Sequence, residues 1–216
     1  LKSLHYYTHP DRWARQVVWT FPSRLPTHRA GFFGYRAVVF DALSDAWKAL
    51  LPSQIKALND YVLGGGSLFL CGGDADLYLR DPKIGELSPV KPGLLKKTTI
   101  RWPGRDAPLE NVSLRESHPL KGSRIICKTG DDPLLVSASK GIGQTYFVGV
   151  SLCDAGILRL PSDHSPGEPD FESQKSIASY LLHQTPPPLL ADGAFDSKIG
   201  AQLHETIRDL TAVSIP

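Results

Sequence analysis

The sequence predicts an α/β domain, a three-layer flavodoxin-like parallel sheet with an antiparallel hairpin at one edge, and three observations carry that expectation. Ala37 to Phe40 and Ser67 to Cys71 are short continuous apolar runs, the pattern of parallel strands covered on both faces. Between them lies a segment of helical spacing that ends in Gly64-Gly65-Gly66, so strand, helix, turn and strand follow in the order of a βαβ unit. Farther on, Leu134 to Ala138 and Gln144 to Val150 flank Gly141-Ile142-Gly143, which reads as a β-hairpin.

Taken in order, residues 1–34 form an aromatic and basic lead-in expected to pack on the core, with a strand-like stretch at Gln16 to Phe21. The main domain is expected over residues 35–185. Its first helix falls within Ser44 to Leu63, where Ser53 after Pro52 is a candidate N-cap and Ile55, Leu58, Tyr61 and Val62 line one stripe. The glycine triplet stops it, and a short helix is expected from Ala75 to Leu79. Residues 81–122 are rich in Pro, Gly, Lys and Arg and offer a weak strand at Lys97 to Trp102, after which Ile125 to Lys128 reads as another. Beyond Cys153 the chain is irregular until Phe171 to His183 regains helical spacing, which Pro186-Pro187-Pro188 ends. Residues 186–216 are expected to be a Pro-rich linker and an amphipathic helix, Ser197 to Leu210.

A length of 216 residues fits one α/β domain with extensions. Apolar residues are 41% and charged residues 21%, enough to build a core and far from the composition of disorder. The net charge of +2, with no Lys/Arg-rich run, leaves no electrostatic footprint for a duplex or an anionic membrane, so no nucleic acid is expected as a partner. No apolar run approaches the ~20 residues that span a bilayer, so no transmembrane segment is expected. Cys71, Cys127 and Cys153 are too scattered for a disulfide framework, and no Cys-x-x-Cys or His-x-x-x-His pair offers a zinc site. Neither a metal nor a cofactor is expected.

In an open parallel sheet, ligands bind beyond the carboxyl ends of the strands, which singles out Asp41, Gly72, Gly73 and Asp74 as candidate ligand-binding residues. Cys71 ends a buried strand just before small residues that allow a sharp turn, as a nucleophile elbow requires. A reactive thiolate also needs a base, for which His118 and His164 are the candidates. The plainer readings compete with these. A cysteine at a strand end packs as a small apolar residue, and His118 before Pro119 caps a loop. Asp41, Asp74 and Asp76 read as solvated or helix-capping acids before they read as a cation site. The glycine triplet precedes a strand and lacks Gly-Lys-Ser/Thr, which makes it a helix stop and not a phosphate loop. Asn111-Val112-Ser113 matches a glycosylation sequon by pattern.

Tyr35 to Phe40, followed by Leu51 to Leu70 (LPSQIKALNDYVLGGGSLFL), resembles the class I glutamine amidotransferase-like superfamily. The resemblance is to the branch found in trehalose-utilisation-like proteins and in extracytoplasmic parts of some bacterial membrane proteins. His118-Pro119-Leu120-Lys121-Gly122 is similar to that branch's His-Pro-(Ile/Leu) loop, and Gly141 to Gly149 (GIGQTYFVG) to its G-x-G-(R/Q)-x-x-(Y/F) hairpin. By this resemblance Cys71 stands where the amidotransferases keep their nucleophile in a G-x-C-x-G turn, with Gly73 as the second glycine and Phe69 in place of the first. Those enzymes draw a His and a Glu from a His-x-Glu element after the last core strand, where this chain reads Ser151-Leu152-Cys153-Asp154-Ala155.

The expected function is therefore a non-catalytic amidotransferase-like domain that binds a small-molecule ligand or a protein partner, through the crevice, the lead-in or the last helix. The alternative is a cysteine-dependent hydrolase or amidotransferase with Cys71 as nucleophile and His118 or His164 as base. The absence of any Met, with the resemblance, suggests a piece of a longer exported or membrane-anchored chain; a cytoplasmic protein is the other expectation. An oxidising compartment would pair two of the three cysteines, and a reducing one would leave all three as thiols.

Overall fold

The computed structural model describes residues 22–32, 35, 37–41, 48, 50–73, 79, 81–102 and 107–152, all of which belong to one compact unit, Leu1–Thr185. The elements are β1 (Ala37–Phe40), α1 (Pro52–Leu63), β2 (Ser67–Cys71), α2 (Pro82–Gly85), β3 (Val90–Ile100), β4 (Leu109–Pro119), β5 (Arg124–Thr129), β6 (Asp132–Lys140) and β7 (Gly143–Val148). Five strands form a sheet in the order β1-β2-β7-β6-β5, and β3 with β4 forms a separate two-stranded ribbon. β1 runs parallel to β2, and β2 parallel to β7, with Val39 opposite Phe69 and Phe69 opposite Tyr146. β6 pairs antiparallel with β7 and with β5.

This corrects the expected three-layer flavodoxin-like parallel sheet. Of the described strand pairings two are parallel and three antiparallel, and among the described residues a helix packs on only one face of the sheet. Side chains alternate across a strand. Leu68 and Leu70 of β2, with Phe147 of β7 and Val136 of β6, therefore pack against Ala57, Leu58, Tyr61 and Val62 of α1. Phe69 and Cys71 of β2, with Tyr146 and Val148 of β7, pack on the other face against Ile100, Val112 and Leu114 of the ribbon. Each fully buried Leu or Phe in these layers contributes roughly 1.5–3 kcal/mol. An apolar run shows that both faces of a strand are covered; a β-ribbon meets that requirement as well as a helix does.

α1 begins at Pro52 and is not capped by Ser53, which lies within its first turn. Leu51 holds the cap position, Pro52 occupies the first turn, where its missing N–H costs nothing, and Gln54 Oε1 accepts from the Leu51 N–H at 2.8 Å. The Gln54 Nε2 donates to the carbonyls of Ser23 and Leu25 at 3.1 and 2.7 Å, tying residues 22–25 to the helix. Phe32 completes that contact against Tyr61, with ring centroids 5.4 Å apart. The Tyr61 hydroxyl donates to the Tyr35 carbonyl at 3.1 Å, and a Cβ on Gly66 would fall on the Tyr61 ring. The glycines after α1 thus end the helix and admit the tyrosine beneath the turn.

The region 81–122 departs most from expectation. It contains two strands of 11 residues, one of them β4, which ends at Pro119. His118 and Pro119 are strand residues opposite Lys91 and Val90, not a loop; a proline is tolerated there because it sits at the strand's last position. The strand expected at Gln16 to Phe21 and the helices expected at Phe171 to His183 and Ser197 to Leu210 lie outside the described residues, as does the helix at Ala75 to Leu79 apart from Leu79. Among the described residues no helix is long and apolar enough to cross a membrane.

Candidate functional site

The carboxyl ends of the parallel strands β1, β2 and β7 converge, so the chain segments that follow them meet. Asp41, directly after β1, reaches the segment after β7: its Oδ2 accepts from the Leu152 N–H at 2.7 Å and from Ser151 Oγ at 3.2 Å. Gly72 continues the β2 ladder by donating its N–H to the Val148 carbonyl at 2.7 Å. A Cβ there would stand 2.9 Å from the Gly149 carbonyl oxygen and 3.0 Å from Arg115 Cβ. Gly73 has φ +99°, a conformation that favours glycine, and a Cβ on it would meet the Ser151 nitrogen at 2.9 Å. Both glycines therefore serve close backbone approach, and the space a side chain would take is already filled by protein.

Arg115 is the residue at this site that the sequence did not single out. It is only 7% exposed, and its guanidinium donates to the carbonyls of Gly73 and Gly93, each at 3.2 Å. Its backbone N–H donates to the Gly149 carbonyl at 2.7 Å, which fastens β4 to the end of β7. The signal that could have found it is the alternation of Val112, Leu114 and polar neighbours in a segment otherwise dominated by loop-forming residues. Ser151 was likewise seen only as a departure from a His-x-Glu element, whereas its hydroxyl and the Leu152 N–H tether that segment to Asp41.

The candidate catalytic pair differs sharply in exposure. Cys71 is 1% exposed and belongs to the apolar layer between β2 and the ribbon. His118 is exposed near the end of β4, its Nε2 beside Gly93. Asp74 and His164 lie outside the described residues. Of the candidate binding residues the structure brings together Asp41, Gly72 and Gly73, adds Arg115 and Ser151, and engages the first three with the protein itself. Among the described residues no cluster of three or more His, Cys, Asp or Glu side chains suits a metal ion.

No protein-family model and no curated protein matches the chain. Solved structures do share its fold. A cytoplasmic protein from Salmonella typhimurium LT2 is 15% identical over 86% of this chain and 97% of its own, with a TM-score of 0.53. A second cytoplasmic protein from Salmonella typhimurium is 15% identical over 76% of this chain and 77% of its own, with a TM-score of 0.52. At such identities the likeness extends to the fold alone and carries no chemistry with it.

Proposed function

We propose that this chain is a non-catalytic interaction module, and that its sequence likeness to the class I amidotransferase-like superfamily reflects a relationship in its strand, helix and hairpin segments without the family's activity. The observation that carries the reading is the placement of Cys71. A catalytic thiol must be accessible to its substrate, whereas Cys71 is 1% exposed, in the apolar layer that holds Phe69, Tyr146, Val148 and Leu114. The strand-end groups that would otherwise line a ligand crevice support the same reading, because Asp41 is engaged by Ser151 and Leu152 and the two glycines are closed over by β4 and the β7 segment.

The test is ammonia release from L-glutamine by the purified chain and its Cys71→Ser variant. The expected result is no release above the buffer rate for either. Release that disappears on Cys71→Ser would overturn the reading and restore the cysteine-enzyme alternative.

A further inference from the structure

The charge of this chain is concentrated. Residues 91–128 hold nine Lys and Arg against three acids, a net of +6 in a chain that totals +2, which leaves −4 for everything else. The described residues of that stretch lie mostly on β3, β4, β5 and the turn after β4. Along β3 exposure alternates: Leu95, Lys97 and Thr99 are open to solvent, Lys96 and Thr98 are half-buried, and Ile100 is buried, so the first three share one open face. Lys96, on the other face, is held by Asp132 at 2.7 Å and Glu116 at 3.3 Å. Among the described residues Lys91, Lys97, Lys121 and Arg124 have no acidic partner.

Large aliphatic side chains are exposed on β3 and in the turn after β4. Leu94 is 75% exposed, Leu120 48% and Leu95 39%. Among the described strands β3 pairs only with β4, and after an irregularity between Pro92 and Leu95 its register runs unbroken from Leu95 to Thr98. Among the described residues no strand pairs with its other edge, whose backbone N–H and C=O groups run over a regular stretch beside exposed leucines and cations.

We infer that this edge of β3 takes an extended acidic segment of a partner protein as an added strand. The segment carries aliphatic and acidic side chains on one face, the aliphatic ones against Leu94 and Leu95 and the acidic ones against Lys97 and Arg101. Strand addition supplies main-chain hydrogen bonds, and the charge on β3 selects an acidic partner over a neutral one. A nucleic acid would satisfy the cations and leave the leucines without cover. The only Phe, Tyr or Trp from 90 to 129 is Trp102, which is 2% exposed, so none of these large rings is open for a base to stack on. The inference rests on the reading of the chain as an interaction module and names the partner's chemistry.

The experiment titrates the full chain into a fluorescein-labelled peptide of the repeat Glu-Thr-Ile-Thr and follows anisotropy, with hydrogen exchange on the mixture. Expected are saturable binding, protection over residues 94–100, a loss of about tenfold with Lys97→Glu and a several-fold loss with Leu94→Ser. Both side chains are exposed, so unchanged circular dichroism will show that the variants fold. The inference fails if the peptide does not saturate, if neither substitution weakens it, or if oligothymidylate or phosphatidylglycerol vesicles bind this surface more tightly than the peptide. Ammonia release dependent on Cys71 would overturn the module reading however the titration falls; peptide failure without such release overturns only the assignment of β3.

Discussion

Asp41 and Ser151 stand 110 residues apart in the chain and 3.2 Å apart in space, side chain to side chain. With the 2.7 Å bond from the Leu152 N–H to the same carboxylate oxygen, the contact joins the ends of β1 and β7 across β2, which lies between them. Asp41→Ala leaves a buried hydroxyl and a backbone N–H without this acceptor and should lower stability by about 1–3 kcal/mol. Asp41→Asn, which keeps a carbonyl oxygen, should cost less. Urea denaturation of the two variants decides it; an alanine variant as stable as the parent would show that the carboxylate holds nothing.

Gly73 and Gly122 make a matched pair for separating strain from packing. Both have positive φ, +99° and +86°, but a Cβ at Gly73 meets Ser151 while one at Gly122 has nothing within 4 Å. Gly122→Ala should cost only the conformational penalty, roughly 1–2 kcal/mol. Gly73→Ala should cost more, because the Ser151 backbone must also move. Equal losses in thermal denaturation would argue that the segment at Ser151 yields without cost.

Tyr146 stacks on Phe69 at 4.3 Å and donates its hydroxyl to Gln144 Oε1 at 2.6 Å. Burial pushes its phenol up to about 12 from 10.0. The folded state thus keeps a proton that the unfolded chain loses, so the contribution to stability is complete below pH 10 and declines as pH rises from 10 through about 12. Burial also raises Tyr61, which acts in the same direction. Tyr146→Phe should cost about 1 kcal/mol at neutral pH through the lost hydrogen bond and should flatten the alkaline decline. Tyrosinate absorbance during an alkaline titration reads this directly, and a phenol that ionises at its ordinary pH in the folded protein would contradict it.

Cys71 should resist iodoacetamide in the native protein at every pH up to the onset of unfolding, and react once urea opens the apolar layer. Peptide mapping of the labelled protein distinguishes it from Cys127, which is partly exposed. Rapid native labelling of Cys71 below pH 8 would mean that the ribbon opens over it.

Local signals carried part of this architecture. The apolar runs at Ala37 to Phe40 and Ser67 to Cys71, the glycines after α1 and the turn at Gly141-Ile142 each constrain the backbone within a few residues of themselves, and β1, α1, β2 and the β6–β7 hairpin were legible for that reason. β4 was not, because its two faces are not cleanly apolar and polar: Ser113, Arg115 and Ser117 are buried through contacts made elsewhere in the fold. His118 and Pro119 looked like a loop because a proline's local preference is the same at a strand end as in a turn. The site shows the same division. Asp41, Gly72 and Gly73 could be named from their positions at strand ends, but their roles depend on Arg115, Gly149 and Ser151, which reach them only when β4 and the segment after β7 are in place. By itself the sequence determined where β1, α1, β2 and the β6–β7 hairpin extend, coil and turn, since those are decided by the conformational limits and apolar spacing of neighbouring residues. The tertiary structure alone decided that, among the described residues, a β-ribbon covers the second face of the sheet. An apolar strand demands cover of any kind, and the choice among covers is set by long-range packing that leaves no mark on the strand itself.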